Sequence, residues 1–136
     1  MYLVDTSVWI DYLRGEPTPE VLVLTDLLAG EEVVGVAPII LREVLHGADT
    51  IERFEKWRKY FENLLCYLPK EPVQSHVAAA RLYQTCRAAG KTPRSSNDCL
   101  IARIAIENQL ILLHHDRDFD AIATVTEDLK LYPLPA

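Results

Sequence analysis

The sequence predicts an α/β protein with a mainly parallel sheet and helices on both faces. Two observations carry that prediction. Short apolar runs (Tyr2-Leu3-Val4, Val33 to Val36, and Leu110 to Leu113) are too brief for helices and suit strands buried on both sides. Between them lie longer stretches with helical spacing, so strand and helix alternate, as they do in parallel sheets. No repeat, low-complexity tract or linker interrupts the pattern. Residues 1–136 are therefore expected to form a single domain.

Each element has its own signal. The first strand, Tyr2 to Val4, stops at Asp5, and Thr6 and Ser7 can cap a helix carrying Val8, Trp9, Ile10, Tyr12 and Leu13. Arg14-Gly15-Glu16-Pro17 reads as a turn, with Gly15 just past one helix and Pro17 starting the next. Val21, Leu22, Leu24, Leu27 and Leu28 support that second helix, which ends at Gly30. After the strand at Val33 to Val36, Pro38 opens a helix with Ile39, Ile40, Leu41, Val44 and Leu45. Thr50 to Leu65 reads as a helix with a charged face interleaved with Phe54, Trp57, Tyr60 and Phe61. Its polar side is read as a solvated surface. Cys66 to Leu68 suggests a short strand, and Pro72 to Ala89 an alanine-rich helix ending at Gly90. A polar loop, Lys91 to Asn97, leads to Asp98 at the start of a helix with Leu100, Ile101, Ile104 and Ala105 at core-facing spacing. Past the strand at Leu110, a brief helix is expected over Asp120 to Thr126. A last strand follows over Leu129 to Tyr132, before Pro133 and Pro135.

Composition excludes several classes. Apolar residues make up 49% and charged residues 25%, which suits a folded soluble domain rather than a disordered chain. A chain of this length buries roughly two-thirds of its unfolded surface. No apolar run approaches the ~20 residues of a membrane span, so no membrane association is expected. Cys66, Cys86 and Cys99 lack metal-ligand spacing and fit free thiols in a cytoplasmic protein. The net charge of −6 argues against electrostatic coating of nucleic acid. It is compatible with an enzyme that holds nucleic acid through a bound cation and a local basic patch.

Four acids stand out by position. Asp5 and Asp116 follow strands, where open α/β sheets place their ligand crevice. Glu43 is embedded in an apolar helix, which is unexpected unless something pairs with it, and Asp98 lies in the first turn of another helix. Each has a plainer reading. Asp5 can be an N-cap, Ser95 to Asp98 has the spacing of a capping box, and Asp116 and Asp118 can pair with Arg117. Together they describe carboxylates converging at one sheet edge without an evident cation for each. Two such charges about 4 Å apart repel by about 4 kcal/mol at an effective dielectric of about 20. A divalent ion would relieve that repulsion, and all-oxygen ligands favour Mg²⁺ or Mn²⁺ over Zn²⁺.

The ordered set of motifs resembles PIN-domain proteins. It comprises Asp5-Thr6-Ser7 after an N-terminal strand, Glu43 followed by Gly47, Asn97-Asp98-Cys99-Leu100-Ile101-Ala102, and Leu113-His114-His115-Asp116-Arg117-Asp118-Phe119. The likeness is to the VapC branch, the ribonuclease toxins of toxin–antitoxin pairs, and it runs along essentially the whole chain. The resemblance implies a three-layer α/β/α sandwich and a Mg²⁺- or Mn²⁺-dependent endoribonuclease. It also implies a VapB-like antitoxin partner that blocks the site, and a homodimer. The family's acidic quartet falls on Asp5, Glu43, Asp98 and Asp116 as metal ligands and catalytic residues, with Asp118 behind them. Its small polar residue corresponds to Thr6 or Ser7. His114 and His115 stand where relatives often have threonine. Chemistry at such a site is hydrolysis of an RNA phosphodiester by metal-activated water, leaving a 5′-phosphate and a 3′-hydroxyl. Arg14, Lys91 and Arg94 are candidate phosphate contacts, with solubilising surface charge as the alternative. A non-cleaving PIN-like module that binds RNA or protein is the alternative function. Phosphotransfer domains also carry an Asp after the first strand, but they want an acidic pair there, or a second Asp where this chain has Ser7.

Overall fold

A computed structural model describes residues 1–134. Five short parallel strands form one sheet: β1 (Tyr2–Val4), β2 (Val34–Val36), β3 (Leu65–Cys66), β4 (Ile111–Leu113) and β5 (Lys130–Leu131). Their order is β3-β2-β1-β4-β5, with Leu3 registered against both Gly35 and Leu112. The chain moves outward in one direction to β3, then returns past β1 to β4 and β5. The strand order therefore reverses between β1 and β4, the position at which such sheets open a crevice at their C-terminal edge.

Seven helices connect the strands: α1 (Thr6–Leu13), α2 (Pro19–Ala29), α3 (Pro38–His46), α4 (Ile51–Glu62), α5 (Pro72–Ala88), α6 (Asn97–Glu107) and α7 (Arg117–Ala123). With this strand order, the general rule of right-handed crossovers places α1 to α4 on one face of the sheet and α5 to α7 on the other. The packing agrees: α1 meets α2 and α3, and α3 meets α4, whereas α5, α6 and α7 pack on one another. The result is the expected α/β/α sandwich, with Leu3, Val4, Leu112 and Leu113 fully buried in its middle layer. Val8 and Trp9 are also fully buried and belong to the core. Trp9 packs edge-to-face on Phe61 with ring centroids 5.0 Å apart, tying α1 to α4.

Several boundaries differ from those the sequence predicts. Of the caps the sequence offers for α1, the structure takes Asp5, whose carboxylate accepts from the Ser7 amide. The second helix begins at Pro19 under a Thr18 cap and not at Pro17, since a threonine hydroxyl satisfies an amide that proline alone cannot. Val33 stays outside β2 and is exposed. α4 ends at Glu62, so Leu65 and Cys66, and not Cys66 to Leu68, form β3. The last helix spans Arg117–Ala123 and not Asp120 to Thr126, because Asp116 caps it three residues earlier. The last strand is only Lys130–Leu131, within the expected Leu129 to Tyr132. Pro135 lies outside the described residues.

Gly35 is the position where the sheet tolerates no side chain. A Cβ there would lie 2.3 Å from Tyr67 Cε2 and 2.8 Å from the Leu65 carbonyl oxygen. The ring could swing, but the carbonyl is fixed by β2–β3 pairing. Gly35→Ala is therefore expected to cost about 2–3 kcal/mol, read as a lower urea midpoint with unchanged slope.

Candidate metal centre

The reversal of strand order brings the acids to one place. Asp5 follows β1 directly, and Asp116 lies three residues past Leu113 in the β4–α7 loop. Glu43 comes from α3 and Asp98 from the first turn of α6, two helices that touch although they belong to opposite layers. These four line a cleft of about 390 Å³ together with Thr6, Ser7, Arg94, Ser95 and Asp118. Carboxylate oxygens of Asp98, Asp116 and Asp118 lie within 4.8 Å of one another. Asp118, expected behind the ligands, is thus grouped as closely as Asp116. The spacing of Asp116 and Asp118 was a signal for this, since the N-cap and the second helical residue both sit at the start of α7.

Each carboxylate has a defined orientation. Asp5 is 5% exposed, and its Oδ2 accepts from the Ser7 amide at 3.2 Å and from Ser7 Oγ at 2.7 Å. Thr6 Oγ1 donates to Glu43 Oε1 at 3.1 Å. Thr6 and Ser7 thus divide the work, one hydroxyl to each carboxylate. Ser7 Oγ also accepts from the His115 amide at 3.2 Å, which fastens the β4–α7 loop to α1. His114 Nδ1 accepts from the Asp116 amide at 3.1 Å and its ring leans on Phe119, so this residue shapes the loop. The Asp118 amide donates to Asp116 Oδ1 at 2.9 Å.

Asp98 differs from the others. The capping box does not form, because Ser95 Oγ accepts from the Asn97 amide and not from that of Asp98. Among the described residues no donor holds the Asp98 carboxylate, which is 9% exposed. Burial, and then the charges of Asp5, Asp116, Asp118 and Glu43, push it up to about 7. Asp5 is raised as well, chiefly by burial and against the hydrogen bonds from Ser7. Asp98 thus sits, without a donor among the described residues, beside Asp5, Glu43, Asp116 and Asp118, an arrangement that a cation completes. The donors are all oxygen, which fits Mg²⁺ or Mn²⁺.

The cation present in the chain itself is Arg94. Its Nη2 donates to Asp116 Oδ1 at 2.8 Å, and its Nε and amide donate to Asp118 Oδ2 at 3.0 and 3.1 Å. Burial raises Asp118, but these bonds outweigh it and leave its pKa below the ordinary value. The expected Arg117 pairing is therefore replaced by one from the α5–α6 loop. Arg14 and Lys91, by contrast, do not line the cleft. Arg14 caps the far end of α1, about 12 Å of helix away from Asp5, and Lys91 Nζ donates to Thr124 Oγ1.

Comparison with known proteins gives a consistent picture. The model of the PIN domain matches residues 2–125. Ribonuclease VapC11 of Mycobacterium tuberculosis is 36% identical over 130 residues, spanning 93% of this chain and 94% of its own. Ribonuclease VapC51 of the same organism is 29% identical over 136 residues, spanning 99% and 94%. VapBC2 from Rickettsia felis, in crystals with a promoter DNA fragment, matches the fold with a TM-score of 0.74 at 19% identity over 96% of each chain. VapBC-1 from nontypeable Haemophilus influenzae matches at 0.72 and 21% identity, again over 96% of each.

Proposed function

The chain belongs to the PIN-domain family, and from that premise we propose that it is an endoribonuclease toxin whose activity depends on Mg²⁺ or Mn²⁺. The observation that carries this reading is the convergence of Asp5, Glu43, Asp98 and Asp116, with Asp118, on one cleft where Asp98 has no hydrogen-bond donor among the described residues. Asp98, Asp116 and Asp118 would hold the ion most directly, with Asp5 and Glu43 completing the charge. Such an ion supplies Lewis acidity toward a phosphate oxygen and a more acidic water. The chain's own residues prepare the site. Ser7 and Thr6 fix the Asp5 and Glu43 carboxylates, and Asp98 surrenders its proton when the charge around it is balanced. No helix among the described residues is long and apolar enough to cross a membrane.

The partner would be a small antitoxin encoded beside this chain, covering the cleft. The ribonuclease names of the relatives support the activity, and the complexes among the structural neighbours support such a pairing. Expression of this chain alone is expected to arrest growth, and co-expression of the adjacent small open reading frame to restore it. Unimpaired growth with soluble, intact protein present would defeat the toxin reading. In vitro, purified protein should cleave single-stranded RNA with Mg²⁺ and stop when a chelator is added. RNA retained without cleavage at any Mg²⁺ or Mn²⁺ concentration would favour the alternative of a binding module.

A further inference from the structure

Arg94 is out of place for a fixed structural ion pair. Its side chain is 65% exposed, yet it bonds to two cleft acids whose side chains are only 24% and 13% exposed. Each acceptor oxygen carries two donors. Asp116 Oδ1 takes Arg94 Nη2 and the Asp118 amide, and Asp118 Oδ2 takes Arg94 Nε and the Arg94 amide. A carboxylate oxygen has about two lone-pair sites, so both are filled. In each case one donor belongs to the main chain and the other to the guanidinium. Withdrawing the side chain would open one lone pair on each oxygen while the backbone amide kept that oxygen aimed.

The geometry points to Arg94 as an exchangeable counter-ion. Resting on the metal-centre reading above, Arg94 neutralises Asp116 and Asp118 when the cleft holds no metal and leaves them when a divalent cation enters. It competes with the cation and does not orient its ligands, because the amides of Arg94 and Asp118 already do that. The open rim of the cleft gives the side chain somewhere to go. The guanidinium would also repel an incoming cation at this range, and that repulsion ends when it swings outward.

Two measurements decide the point. Calorimetric titration with Mn²⁺ should give Arg94→Gln an affinity about tenfold tighter than the parent's, with Arg94→Lys in between. An affinity equal to or weaker than the parent's would overturn the exchange, since a residue that orients ligands weakens binding when removed. The second needs no variant. In ¹⁵N-labelled parent protein the Arg94 Nε–H resonance should move to the position of a free arginine as Mg²⁺ saturates the site. A resonance that keeps its salt-bridged position with Mg²⁺ bound would likewise overturn the exchange. A parent that binds no Mn²⁺ at all would remove the metal centre itself, an outcome distinct from bound metal with Arg94 still in place.

Discussion

Asp98→Asn is expected to lose RNA cleavage by at least about a hundredfold and at the same time to melt higher than the parent without metal. The two effects have one cause. Asp98 is pushed up to about 7 by burial and by its acidic neighbours, so its ionised form is disfavoured in the folded chain. A folded pKa above the unfolded value stabilises the fold fully only below that unfolded value. The contribution is lost as pH rises from about 4 through about 7. Moving from 3.8 to about 7 corresponds to at most about 4 kcal/mol, and water in the open cleft reduces this to roughly 2. An amide of the same shape carries no charge to bury, so the metal-free variant should gain about 5–10 °C at pH 8. The gain should be smaller at pH 5. Asp5→Asn, Glu43→Gln and Asp116→Asn should share the loss of cleavage. Thermal melts in chelator, paired with a cleavage assay, test both halves. An Asp98→Asn protein that cleaves at the parent rate would mean the carboxylate serves only the helix.

Mg²⁺ or Mn²⁺ should stabilise the parent by roughly 2.7 kcal/mol at a hundred times the dissociation constant, for one site. The ion neutralises the repulsion that raises Asp98, so its benefit grows where that repulsion is fully expressed. At pH 8 the ligands are ionised and the shift should be largest. Near pH 5 protons hold Asp98, and the shift should shrink. Asp98→Asn should lose most of the metal-induced shift at both pH values. A parent whose melting temperature ignores millimolar Mg²⁺ and Mn²⁺ at pH 8 would show that the acids do not form a preassembled metal site.

Much of the protein is local information. Three-residue apolar runs became strands because nothing but a buried parallel sheet suits Tyr2-Leu3-Val4 or Ile111-Leu112-Leu113. Pro38 and Gly90 marked helix boundaries through proline's missing amide and glycine's access to positive φ, while Gly30 closes α2 in an extended conformation. The acids were legible because a carboxylate directly after a buried strand, or inside an apolar helix, is costly without a reason. Boundaries such as Pro19 for the second helix and Arg117 for the last were missed. There the choice of cap depends on which side chain reaches which amide, a contest of small energies between neighbouring residues.

The sequence by itself determined the strand–helix alternation, the buried faces and the set of acids, since each follows from the chemistry of a few consecutive residues. Only the tertiary structure decided which partners those acids have. Strand order 3-2-1-4-5 sets Asp5 beside the Asp116 loop, and the contact of α3 with α6 adds Glu43 and Asp98. It also gave Ser7 to Asp5 and Thr6 to Glu43, brought Asp118 level with Asp116, and chose Arg94 over Arg117, Arg14 and Lys91. Pairings of this kind join residues dozens of positions apart. They depend on distances of a few ångströms that no local pattern encodes, because Coulomb and hydrogen-bond energies are set by the folded separation and not by spacing along the chain.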